Sequence, residues 1–74
     1  GNTAVGTDAM ADANFDGSYN VAVGYNALLQ AETISGTTAI GNQCLDALTT
    51  GDNNTAVGAG ALGGLGLLIF QYPF

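Results

Sequence analysis

Between residues 1 and 62, short runs alternate β-branched side chains with small or polar ones, and each run stops at a glycine. Thr3 and Val5, Val21 and Val23, Thr38 and Ile40, and Thr55 and Val57 fall on one face of an extended segment; Ala4, Ala22, Ala39 and Ala56 fall on the other. β-branched residues at a period of two predict four short strands. The alanine face, which continues back to Asn2, Asn20, Thr37 and Asn54, is kept small, as it is where another layer or another chain packs close. The closing glycines suit turns, because glycine tolerates positive φ and leaves room for neighbouring backbone.

Those glycines, Gly6, Gly24, Gly41 and Gly58, are spaced by 18, 17 and 17 residues. A fixed period in this range marks a stacked array. The expected fold is mainly β: a repeat solenoid of 17–18-residue coils, each with one short parallel strand built on Val5, Val23, Ile40 or Val57. After each glycine, Ala9, Met10 and Ala13 recur as Ala27, Leu28 and Ala31, as Cys44, Leu45 and Leu48, and as Ala61, Leu62 and Leu65. That spacing fits either a short helical turn, with Asp8 and Asn26 as caps, or a second, outer strand. Residues 1–62 form the four-coil part, about 15–20 Å long at about 4.8 Å per strand, and residues 63–74 an apolar tail or cap. Such a stub has open edges and depends on its neighbours, so self-association is expected.

Charge and composition narrow the function. The chain of 74 residues has no lysine, arginine or histidine and six acidic residues, for a formal charge of −6. Without side-chain cations it cannot displace counterions from phosphates, which excludes nucleic acid as a partner. Schiff-base lysines, arginine clamps and a histidine base are missing too, so no enzyme is expected. The carboxylates read as a solvated surface that keeps the chain soluble. Cys44 occupies a column otherwise held by Ala9, Ala27 and Ala61; with no histidine to activate it, it reads as a small core residue. The tail LGLLIFQYPF is about half the length a bilayer span needs, so no transmembrane segment is expected.

Two features carry candidate chemistry. The stretch DANFDGSYN places Asp12, Asn14 and Asp16 at alternate positions before Gly17, as in the first half of a calcium loop. The bidentate glutamate such a loop needs at its twelfth position is replaced by Val23, so an ordinary Asx-rich turn is the competing reading, and no other cofactor is indicated. Asn20, Asn53, Asn54, Thr38 and Thr55 are expected to form ladders between coils, and a regular threonine face raises an ice-binding reading that Val21 interrupts.

The units NTAVGTDAM, NVAVGYNAL, TTAIGNQCL and NTAVGAGAL resemble the NTA(V/I)GxxAL repeats of bacteriophage tail fibres and related surface-fibre proteins. Their AVG and AIG cores are also similar to the head repeats of trimeric autotransporter adhesins. The resemblance implies a parallel homotrimer in an extracellular or virion fibre, serving as shaft or attachment spacer, with a host-surface receptor as a further partner. It stops at Leu62. In the tail, Leu67, Leu68, Ile69, Phe70, Tyr72 and Phe74 are expected to serve assembly, and the alternative reading is an extracellular filament subunit joined through them. An adhesive module would need exposed aromatics gathered on one face, and Tyr19 and Tyr25 are the only tyrosines in the repeats.

Overall fold

The computed structural model describes residues 1–62 and the backbone of Phe70–Gln71. Four strands, β1 (Thr3–Val5), β2 (Val21–Val23), β3 (Thr38–Ile40) and β4 (Asn54–Val57), pair in parallel and in chain order. The register keeps the repeat aligned: Ala4 pairs with Ala22, Ala22 with Ala39, and Ala39 with Ala56. A fifth strand, β5 (Phe70–Gln71), closes the β4 edge in the antiparallel sense. The protein is therefore mainly β, and no helix occurs among the described residues. None of them forms a helix long and apolar enough to cross a membrane.

Each strand and the loop after it make one unit: residues 2–19, 20–36, 37–53 and 54–62. The alanine column is the inner one, with Ala22, Ala39 and Ala56 fully buried. Opposite it, Leu28, Ile34, Cys44 and Leu45 come from the loops and fill the interior. Alanine on the strand lets these larger loop residues close over it, because only one layer of bulky side chains fits between strand and returning loop. Val5, Val23, Ile40 and Val57 lie within the four strands and face away from the alanine column; Val5 is 55% exposed, Ile40 40% and Val57 59%.

Of the two readings of the segment after each glycine, the helical turn does not form among the described residues. Asp8, Asn26 and Gln43 have φ of 59–60°, and Met10, Leu28, Leu45 and Leu62 have φ of 51–58°, so every second residue is left-handed. This alternation turns amides towards the next unit rather than back along a helix. The Met10, Leu28 and Leu45 amides donate to the carbonyls of Ala27, Cys44 and Ala61 at 2.9–3.0 Å. A left-handed non-glycine residue costs about 1–2 kcal/mol, which these unit-to-unit bonds offset. Asp8 and Asn26 thus serve as the left-handed corners of tight turns closed by Ala9 N to Gly6 O and Ala27 N to Gly24 O, and not as helix caps. Among the described residues, the outer strand is reduced to one isolated bridge, Thr33 to Thr50.

Candidate functional site: the outward sheet face

Three sets of residues hold the face in place. The first is the glycines. Gly6, Gly24, Gly41 and Gly58 have φ of 122–138°, and a Cβ on Gly24 or Gly41 would lie 2.5 Å from the carbonyl oxygen of the equivalent glycine in the next unit. Successive backbones touch there, so only glycine fits.

The second set is a polar column running through Asn2, Asn20, Thr37 and Asn54. Asn2 Oδ1 accepts from the Asn20 amide at 3.0 Å, and Asn20 Oδ1 accepts from the Thr37 amide at 2.8 Å. Thr37 Oγ1 continues the column by accepting from the Asn54 amide at 3.4 Å. Asn20 Nδ2 also donates to the Ile34 carbonyl at 2.9 Å, as Asn2 Nδ2 does to Gly17. Asn20 and Thr37 are fully buried, and no buried side-chain polar atom among the described residues lacks a partner. The ladder expected from the sequence exists, but its members differ. Asn53 is a left-handed corner with φ of 62°, and Thr38 and Thr55 lie on the outward face. The third set is a second column of opposite sense, in which the Ser18 amide donates to Ser35 Oγ and the Ser35 amide to Asp52 Oδ1.

What these columns present is a sheet face of two rows, Thr3, Val21, Thr38 and Thr55 beside Val5, Val23, Ile40 and Val57. It carries no charged side chain. In-register parallel strands about 4.8 Å apart repeat the two rows regularly. Tyr19 and Tyr25 stand at the two ends of β2, 76% and 52% exposed. They flank one strand and form no wider aromatic platform among the described residues.

The residues proposed for calcium are used differently. Asp12 Oδ1 accepts from the Asn14 amide at 2.7 Å, and the Phe15 amide donates to the Asp12 carbonyl at 3.2 Å. The Asp16 amide is tied to the Glu32 carbonyl, while its side chain is exposed. Gly17 passes against the Ile34 carbonyl with no room for a Cβ. Among the described residues no three acidic or cysteine side chains gather to hold a metal ion. Asp12 thus closes an Asx turn onto Asn14, and the stretch tucks Phe15 against the core.

Cys44 is fully buried, and its Sγ donates to the Ala56 carbonyl at 3.2 Å. Burial pushes its pKa above the ordinary 9.0, with a smaller push from Asp46 and an opposing contribution from the Ile40 backbone. A thiol held protonated in the core is chemically quiet. Of the tail positions expected to serve assembly, Leu67, Leu68, Ile69, Tyr72 and Phe74 lie outside the described residues, as does the side chain of Phe70. The chain matches no protein-family model, no curated protein and no solved structure.

Proposed function

We propose that the chain is a structural element of an extracellular or virion fibre: a β-solenoid segment that associates side by side as a parallel homotrimer and works mechanically, as shaft or attachment spacer. The observation that carries this reading is the outward face. Val5, Ile40 and Val57 are 40–59% exposed on an uncharged surface, while Ala22, Ala39 and Ala56 are buried behind it. A single chain gains nothing by displaying its largest strand side chains to water, whereas a contiguous exposed apolar patch is what an association surface looks like. Three copies meeting through this face would bury all four strands' outward rows and leave the six acidic residues, none of which lies on it, facing solvent. The resemblance to fibre repeats points the same way.

Light scattering on the purified chain, with and without a calcium chelator, tests the reading. A discrete species of three chain masses is expected in both conditions. A monomer would refute the trimer, an open-ended mass would favour the filament, and dissociation on chelation would show a metal holding the subunits.

A further inference from the structure

The two ends of the stack are not equivalent. At unit 1 the inner columns are open: Asn2 and Ala4 are exposed, and Ala9 and Met10 are half-buried. The same columns are better covered at unit 4, where Ala56 is fully buried, Ala61 is 5% exposed and Asn54 and Leu62 are half-buried. What changes between the ends is the direction of pairing. Every step from β1 to β4 is parallel and in register, whereas β5 lies on the β4 edge in reverse, with Thr55 opposite Phe70 and Asn54 opposite Gln71.

The chain itself shows what fits the β4 edge. Three times over, a T/V-A-V/I strand receives another such strand in the same register, with glycine set against glycine backbone at the first three turns. β1 and β4 share the sequence Asn-Thr-Ala-Val-Gly, residues 2–6 and 54–58. Unit 1 of a second copy therefore presents the pattern that the β4 edge would accept. A strand laid antiparallel cannot extend that pattern, because it reverses the hydrogen-bond geometry on which the next parallel unit depends.

We propose that β5 is a stop strand: it occupies the β4 edge that unit 1 of a second copy would otherwise join, and so prevents copies from stacking end to end. This is independent of sideways association through the outward face. It also gives the tail the opposite role from the connector expected in a filament. Capping an exposed edge in this way is a recognised defence against strand addition.

The experiment compares the full chain with Phe70→Pro, which fixes φ and removes the amide opposite Thr55, and with the double variant Phe70→Pro/Gln71→Pro. Sedimentation velocity over a range of concentrations is the readout. The proline variants should grow with concentration into species that are whole multiples of the wild-type mass, while the unsubstituted chain stays discrete. Adding Ala4→Glu, which puts a carboxylate on the open end of unit 1, should abolish that growth. Growth insensitive to Ala4→Glu would overturn unit 1 as the occupant. Unchanged mass, or a fall to smaller species, would overturn the stop strand. Hydrogen exchange on the unsubstituted chain gives a check that does not depend on the variants folding: the Thr55 amide should be protected, and exchange at the rate of an open loop would overturn the proposal.

Discussion

Replacing Gly41 by alanine should be among the most damaging single changes this chain can undergo. The residue has φ of +138°, and an added Cβ would sit 2.5 Å from the Gly58 oxygen, 2.6 Å from its carbonyl carbon and 3.1 Å from the Ala59 nitrogen. All three are backbone atoms of the next unit, pinned by the Gly58 amide to Ile40 and the Gly60 amide to Asn42, both at 2.8 Å. None can swing away as a side chain would. The unfavourable torsion costs about 1–3 kcal/mol and the overpacking about another 1–3 kcal/mol. A folded chain of this length is stable by roughly 4–11 kcal/mol, so the substitution removes a large part of the total. Gly60 is the internal control: its φ is +71° and a Cβ there meets nothing within 4 Å. Asp8, Asn26 and Gln43 occupy the equivalent corner, so Gly60→Ala should cost only about 1–2 kcal/mol and Gly60→Asn less. Urea unfolding followed by circular dichroism at fixed chain concentration gives both values. If Gly41→Ala costs no more than Gly60→Ala, backbone contact between units does not require glycine and the packing described above is wrong.

Other residues give separate tests. Ile40→Asp places a charge on the outward face without touching the buried alanine column, so scattering mass should fall to a single chain while the circular dichroism spectrum is kept; a persisting trimer would refute the proposed contact face. Asn20→Ala strands the Thr37 amide and the Ile34 carbonyl in the interior, at about 1–3 kcal/mol for each unpaired group, measurable as a lower urea midpoint. Because burial raises the Cys44 pKa in the folded state, its contribution to stability is complete below pH 9.0 and is lost as pH rises past it through the higher folded value. Cys44→Ala should therefore flatten the alkaline side of the stability profile, and a profile identical to wild type would exclude the thiol as its source.

Much of this architecture is legible in the sequence because the repeat is nearly exact where backbones touch. The glycine spacing locates the four strands, and the period-two alternation sets which residues share a face. What alternation does not reveal is which face is inside. Valine and isoleucine are the more hydrophobic set, yet alanine is interior, because the loops supply Leu28, Ile34 and Leu45 to the same space. The loops are less legible. Ala and Leu at i, i+1 and i+4 are good helix formers, and propensity alone favours a helical turn. The contrary signal is the column Asp8, Asn26, Gln43, Gly60: aspartate, asparagine and glycine are the residues that tolerate left-handed φ, and their recurrence at one position marks a turn corner better than a cap. At DANFDGSYN, spacing suggested ligands, whereas hydrogen bonding assigns Asp12 to the turn.

That turn also shows what fixes the register of the stack. Unit 1 is one residue longer than units 2 and 3, yet Ala4 still pairs with Ala22. If loop length set the register, the extra residue would shift β2 by one and exchange its two faces. Instead the Asx turn at Asp12 to Asn14 takes up the surplus, Gly17 fits beneath the Ile34 carbonyl, and the Asn2 side chain grips both Gly17 and Asn20. The chain is thus held from the strand side, by a polar side chain that measures the position of the next unit, and the loop accommodates. Variation in loop length is therefore compatible with an unbroken sheet as long as the Asn/Thr column and the closing glycines remain. The same logic locates sensitivity to mutation: changes at Asn20 or Gly41 propagate through the stack, whereas changes at exposed loop positions such as Ala11 or Ala13 stay local.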